Sequence, residues 1–162
     1  MAQAVRDIAE ELGVRRCGAF HRDGLFVLAA AAGIGFWIML WWLLPVQPIQ
    51  WWQMGSWDFL SLVVAQPCLE EIVFRGLLQG YLSRWRRMRA TWQGFTTANG
   101  VTALLFTAGH FVSHPALWAV GVVVPALMFG FFRDRYASIW PGMLLHVFYN
   151  GGYFVMTGLP GS

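Results

Sequence analysis

Five long apolar segments, separated by short polar connections, constrain this chain more than any other feature of its sequence. The segments cover about residues 25–44, 59–82, 95–112, 116–132 and 137–157. The first carries no charge and has the roughly 20 residues that a helix needs to cross a bilayer. We therefore predict an all-α fold, a polytopic membrane bundle of about five transmembrane helices within residues 25–158.

The composition supports a membrane protein. Hydrophobic residues make up 57% of the 162 residues and charged residues only 12%, whereas soluble domains have about 25% charged residues. This scarcity of charge excludes a disordered chain, a nucleic-acid-binding domain and an ordinary soluble enzyme. Residues 1–24 precede the first apolar segment and carry Val5, Ile8 and Leu12 at helical spacing. We interpret them as an amphipathic segment on the cytoplasmic surface of the membrane.

The distribution of arginine predicts the orientation. All eleven basic residues are Arg, and ten of them lie in the N-terminal stretch and in the connections after the second and fourth segments. The positive-inside rule assigns these connections to the cytoplasm. We therefore expect a multi-pass protein of the plasma membrane, here a bacterial inner membrane, with its N-terminus cytoplasmic and its C-terminus outside. The ten residues are Arg6, Arg15, Arg16, Arg22, Arg84, Arg86, Arg87, Arg89, Arg133 and Arg135.

Three charged residues interrupt the second apolar segment: Glu70, Glu71 and Arg75. One charge at the centre of a transmembrane helix costs about 2.5–3.5 kcal/mol on insertion scales, so these side chains must face a protein interior or a water-filled cavity. Glu71 and Arg75 are four residues apart, which predicts an ion pair on one helix face. Glu70 is rotated by about 100° from Glu71. We therefore expect Glu70 to lack a local partner and to need one from another helix, or a proton.

Two other segments carry polar groups at membrane depth. The third contains Phe106 and His110, and the fifth contains His146 and Asn150, each pair four residues apart. A carboxylate and two imidazoles in a dry cavity suit peptide hydrolysis without a Ser or Cys nucleophile. Glu70 can act as general base towards a water molecule, while an imidazole and an amide can stabilise the oxyanion.

A metal site is the alternative for the same residues. Glu70, His110 and His146 could hold zinc with one open position, although the HExxH pattern of zinc proteases is absent. His114 lies four residues after His110 and directly before Pro115. That position predicts a role at the end of the helix. From the residues alone, both the metal-free and the zinc reading stay open.

The three motifs, Glu70-Glu71-x-x-x-Arg75, Phe106-x-x-x-His110 and His146-x-x-x-Asn150, resemble those of the CPBP family of intramembrane proteases (CAAX protease or Rce1-like, also called the ABI family). The resemblance covers about residues 57–153. It implies an all-helical membrane fold with a catalytic cavity open to water. It further implies that Glu70 and His110 activate water, that His146 and Asn150 stabilise the oxyanion, and that Glu71, Arg75 and Phe106 support the site.

The resemblance also bears on mechanism and substrate. It favours a glutamic-type endopeptidase without a cofactor, with a zinc-dependent form as the alternative. The chain is shorter than the eukaryotic CAAX enzymes, with about five spans where those have about eight, and its size is similar to small bacterial members that process C-terminal sorting signals. We expect a membrane-protein or lipid-anchored protein substrate with a C-terminal sorting or prenyl-type signal, and no nucleic-acid partner.

A non-enzymatic membrane protein of the same fold, such as a bacteriocin-immunity protein or a scaffold, is the other class of function. The complete set of four polar residues, Glu70, His110, His146 and Asn150, argues against it. A binding module has no need for four such groups in apolar segments.

Overall fold

The computed structural model describes residues 9, 12–14, 17–43 and 47–160. Within them the chain is mostly helical, and five long helices coincide with the five apolar segments. Between the second and third helices, a 3₁₀ turn at Arg86–Arg89 leads into an antiparallel hairpin of two short strands, β1 (Thr91–Trp92) and β2 (Phe95–Thr96). The helices are α1 (Gly24–Leu43), α2 (residues 57–82), α3 (Thr97–His110), α4 (Ala116–Tyr136) and α5 (Trp140–Thr157).

Two of these helices, α1 and α4, are long and apolar enough to cross a membrane, by length and composition. The helical class is therefore confirmed, whereas the five-span count and the orientation stay predictions. Of the three apolar positions predicted to form the amphipathic N-terminal face, Val5 and Ile8 lie outside the described residues and Leu12 lies within them.

Helix α2 is not a regular α-helix. Ser61–Ala65 and Glu71–Gln79 have the wider π-helical hydrogen bonding, in which a carbonyl accepts from the fifth residue onward. Pro67 lies between these two stretches. It has no N–H to donate, which interrupts the hydrogen bonds of the preceding turn. The Gln66 N–H accordingly donates to the carbonyl of Ser61, five residues back.

The chain divides into two compact units. The first comprises Met1–Gly18 and Glu70–Gly142. In it, α3 packs along α4 and against the π-helical stretch Glu71–Gln79. The apolar centre of this packing contains the buried residues Ala103, Phe106 and Ala126, with Phe74, Val122 and Leu127 packed against it.

The second unit comprises Ala19–Leu69 and Met143–Ser162, and two glycines let its helices approach closely. Gly33 of α1 lies against the ring of Tyr149, and Gly152 of α5 lies against the indole of Trp37. A Cβ atom at either glycine would overlap the facing ring. The Tyr149 hydroxyl also donates a hydrogen bond to the carbonyl of Ala29 at 2.8 Å. Helix α5, which carries His146 and Asn150, is thereby held against α1.

Candidate active site

The predicted ion pair between Glu71 and Arg75 forms at the centre of the first unit. Arg75 Nη1 lies 2.9 Å from Glu71 Oε1, and both residues are 0% exposed. The other amino group, Nη2, donates to the carbonyl of Ala126 on α4 at 3.0 Å. The guanidinium also lies over the ring of Phe106, 4.4 Å from its centroid. Because a buried ion pair needs such additional contacts, Arg75 ties α2 to both α3 and α4.

Glu70 is not isolated in the structure, because its negative charge acts on the Arg75 guanidinium, five residues further along the chain. The expectation that Glu70 stands without local interactions is therefore wrong. The ion pair of Arg75 is formed with Glu71. From Glu71 onward, α2 has π-helical hydrogen bonds that join residues five apart. Glu70 differs from Glu71 in remaining partly exposed.

His110 lies at the last position of α3, and its ring is oriented by its own helix. Its Nδ1 atom is 2.9 Å from the carbonyl oxygen of Phe106. Because a carbonyl oxygen only accepts hydrogen bonds, Nδ1 must carry the proton. In the neutral imidazole, Nε2 then keeps its lone pair and is available as a base or as a metal ligand. The Phe106 ring packs against the His110 ring at 4.6 Å as well as against Arg75.

His114 follows the end of α3, as its position before Pro115 predicts. It is exposed, its Nδ1 lies 2.9 Å from the hydroxyl of Ser113, and its ring centroid is 5.5 Å from that of His110. The two imidazoles therefore differ in their surroundings. His110 is partly buried and bonded to its helix, whereas His114 lies in the connection that follows.

Asn150 is oriented by an unusual acceptor on α2. Its Nδ2 atom donates to the carbonyl of Leu62 at 3.0 Å. In the π-helical turn this carbonyl would accept from the fifth residue onward, which is Pro67, and proline has no N–H. In a regular α-helix the carbonyl that Pro67 leaves free would be that of Val63, but the π-helical register moves it to Leu62. His146, one turn before Asn150, is buried in the same unit.

The predicted site residues fall into both units. Glu71, Arg75, Phe106 and His110 form one continuous set of contacts, and Glu70 lies in the same first unit. His146 and Asn150 belong to the second unit. That all of them line a single catalytic cavity stays a prediction.

The sequence match supplies the family. Residues 50–152, more than half of the chain, match the family model described as type II CAAX prenyl endopeptidase Rce1-like. The chain belongs to this family. Comparison with curated proteins and with solved structures gives no significant match. The Rce1-like membership confirms the resemblance carried by the three motifs and identifies the protein as a membrane protease of the CAAX endopeptidase type.

The residues for a zinc site in this Rce1-like protein were predicted as Glu70, His110 and His146. Among the residues that the structure describes, no three or more His, Cys, Asp or Glu side chains are grouped closely enough to hold a metal ion. His110 Nε2 is a suitable single ligand.

A second polar layer, which the motifs did not indicate, lies one turn beyond Arg75. Gln79 Nε2 donates to the carbonyl of Gly130 at 2.9 Å and to Asp134 Oδ1 at 2.8 Å. Thr96 donates to the other oxygen of Asp134 at 2.7 Å. Asn99 Nδ2 donates to the carbonyl of Leu127 at 3.0 Å. The spacing of Glu71, Arg75 and Gln79 at four-residue intervals is the sequence signal for this layer.

Gly130 is the point at which this layer meets α4, and it gives a testable prediction. A Cβ atom there would overlap Asn99 Oδ1 and lie 2.9 Å from Gln79 Oε1. We expect Gly130→Ala to lower the free energy of unfolding by about 1–3 kcal/mol, because Asn99 can move aside only by breaking its bond to Leu127. The measurement is thermal or denaturant unfolding of the purified protein in detergent.

Gly100→Ala is the matched control. Gly100 lies inside α3 in the same unit, and no atom lies within 4 Å of a Cβ added there. Since alanine is favoured over glycine in a helix by about 0.5–1 kcal/mol, this variant should be as stable as the natural protein or more so. Equal stability of the two variants would show that the contact at Gly130 does not constrain the packing.

Proposed function

We propose that this protein is a glutamic-type intramembrane endopeptidase that hydrolyses a peptide bond of a membrane-associated protein. In this proposal Glu70 and His110 activate water, and His146 and Asn150 stabilise the oxyanion. The observation that carries it is the hydrogen bond from His110 Nδ1 to the Phe106 carbonyl, which leaves the Nε2 lone pair to accept a hydrogen bond from the water that Glu70 deprotonates. Membership in a protease family supports the reaction class.

The two adjacent glutamates suit different tasks. Glu71 is fully buried and bonded to Arg75, so neither water nor substrate reaches it. Glu70 is partly exposed and shares the field of the same guanidinium. Glu70 is therefore the carboxylate that can take a proton from water. The resulting hydroxide adds to the substrate carbonyl carbon, and the same proton is later passed to the departing nitrogen.

Asn150 suits the stabilisation of the negatively charged oxygen that forms during this addition. Its amide nitrogen carries two hydrogens, and one of them is engaged by the Leu62 carbonyl. The bond fixes the amide and leaves the second N–H to donate to an oxyanion. In the proposal the buried imidazole of His146, one helical turn earlier, supplies a second donor.

For the substrate, we propose a C-terminal sorting or prenyl-type signal on a membrane-protein or lipid-anchored protein. The description of the family as CAAX prenyl endopeptidases supports cleavage near a C-terminus. The enzyme is proposed to need no cofactor, with a zinc-dependent form that uses Glu70, His110 and His146 as the alternative.

His110 provides the test of this proposal. We expect His110→Ala to lower the cleavage rate by about 100-fold or more, because a positioned base contributes at least that factor. The measurement uses purified protein in proteoliposomes and membrane-anchored reporter peptides with sorting-type or prenylated C-termini, with products identified by mass spectrometry. His114→Ala is the matched control, and its rate should stay within about two-fold, because the exposed His114 ring is bonded to Ser113 and not to α3.

Two outcomes would contradict the proposal. If His110→Ala folds with normal thermal stability and cleaves at the normal rate, His110 does not activate water. If incubation with a chelator removes stoichiometric zinc and activity together, and zinc restores the activity, the zinc-dependent form is correct.

A further inference from the structure

The connection between α2 and α3 holds the densest positive charge of the chain. Four arginines, Arg84, Arg86, Arg87 and Arg89, fall within six residues, and no Asp or Glu occurs anywhere between Glu71 and Asp134. The last three are exposed. Within the described part of the chain, none of these three forms an ion pair. No carboxylate among the described residues therefore pairs with their charge.

These arginines are presented by an ordered backbone. The Trp85 N–H donates to the Leu82 carbonyl, and the Met88 N–H donates to the Trp85 carbonyl, both at 3.0 Å. The segment then enters the β1–β2 hairpin, whose turn residues Gln93 and Gly94 both have positive φ. This pattern is typical of a tight two-residue hairpin turn. Since the backbone that carries the arginines is already ordered, little conformational entropy has to be lost when a ligand binds to them.

Contacts with α4 hold this connection beside the last turn of that helix. Phe95 of the hairpin packs on Phe131 at 5.7 Å, and Thr96 donates to Asp134 in the last turn of α4. Helix α4 is one of the two described helices long and apolar enough to cross a membrane, and in a bilayer its last turn would lie at the boundary between lipid and water. Trp85 and Trp92, 58% and 78% exposed, flank the arginines. Exposed tryptophan is typical of the headgroup level of a bilayer.

We propose that residues 84–92, here named the arginine turn, form a binding site for the headgroups of anionic phospholipids. Guanidinium groups bind phosphate with paired hydrogen bonds, and basic clusters next to a membrane-spanning helix bind acidic lipids. The exposed indoles on both sides favour lipid over a soluble acidic peptide, which would leave them in water. The site is independent of the proposed catalytic residues, so its test does not depend on protease activity.

The test compares two variants of the full chain that lose the same charge. Arg86→Gln/Arg87→Gln/Arg89→Gln removes three arginines from the turn, and Arg15→Gln/Arg16→Gln/Arg22→Gln removes three from the N-terminal stretch. Purified protein in neutral detergent is titrated with phosphatidylglycerol or with phosphatidylcholine, and bound lipid is counted by native mass spectrometry. One arginine near an anionic surface contributes roughly five-fold to binding. The first variant should therefore lose affinity for phosphatidylglycerol by roughly 100-fold, and the second should lose less, because it leaves the arginine turn intact.

Further arms identify the ligand. Arg86→Lys/Arg87→Lys/Arg89→Lys should keep most of the affinity, because it keeps the charge. Phosphatidylcholine should bind equally to all variants. If inorganic phosphate competes with the lipid at equal concentration, the site binds free anions and the proposal is wrong. If polyglutamate binds the arginine turn and phosphatidylglycerol does not, the site binds acidic peptides. Equal losses in the two glutamine variants would also overturn the proposal.

Discussion

Glu70→Gln is expected to lower the rate of peptide cleavage by about 10²- to 10⁴-fold, the usual contribution of a general base, and to leave the folded protein intact. The change keeps the shape of the side chain and removes only its ability to accept a proton. Because Glu70 is partly exposed, whereas Glu71 is fully buried in its ion pair with Arg75, little stability should be lost. The rate is measured on membrane-anchored reporter peptides in proteoliposomes, and stability by thermal unfolding in detergent.

The neighbouring carboxylate supplies the matched control. Glu71→Gln is the same chemical change at the next position, but it removes the buried partner of Arg75. We expect this variant to lose stability first and to lose activity only in proportion to the protein that no longer folds. If Glu70→Gln cleaves at the normal rate, or if the two variants have the same profile of activity and stability, the proposed division of roles between the two glutamates is wrong.

Arg75→Met should produce the largest loss of stability, about 3–5 kcal/mol in the free energy of unfolding. The substitution leaves the carboxylate of Glu71 buried without its cation, and it removes the bond from Nη2 to the Ala126 carbonyl. Methionine still fills the space beside Phe106 and Phe129, so the loss reports mainly on charge. The measurement is denaturant unfolding of the detergent-solubilised protein, together with folded yield.

A double variant separates charge from packing. Glu71→Gln/Arg75→Met has neither buried charge, and removing both members of such a pair is often close to neutral. We expect it to recover at least about half of the stability lost in Arg75→Met. A double variant as unstable as the sum of the two single variants would show that the ion pair is not the reason for the loss. Full activity in Arg75→Met at normal yield would also contradict the role given to Arg75.

The helices and the ion pair could be predicted from the sequence because both depend on local spacing. The apolar segments follow hydrophobicity alone, and Glu71 and Arg75 are four residues apart. The hydrogen-bonding period of α2 could not be predicted, because Glu71–Gln79 is π-helical. No residue in Glu71–Gln79 predicts π-helical hydrogen bonding. The other π-helical stretch, Ser61–Ala65, places the carbonyl that Pro67 leaves free at Leu62 instead of Val63.

The second polar layer could not be predicted from the sequence, for a different reason. Gln79 and Asn99 bond to backbone carbonyls of α4, and every residue has such a carbonyl. The identity of the acceptor therefore depends on how the helices pack and not on the residue type of the partner. Gly130 is the exception, since only a residue without a side chain permits this approach. The sequence shows a glycine in the middle of this apolar helix, but only the structure shows that the side chains of Asn99 and Gln79 occupy the space beside it.

Pro67 has a consequence that reaches far along the chain. The two ends of an asparagine amide have nearly the same shape, and only their surroundings decide which end points where. The carbonyl of Leu62 accepts a bond from Asn150, 88 residues later in the sequence, because the imino nitrogen of Pro67 has no hydrogen to offer it. The missing N–H of Pro67 in α2 thus determines which end of the Asn150 amide on α5 points towards Leu62. A backbone defect, in this protein, is what gives a distant amide its direction.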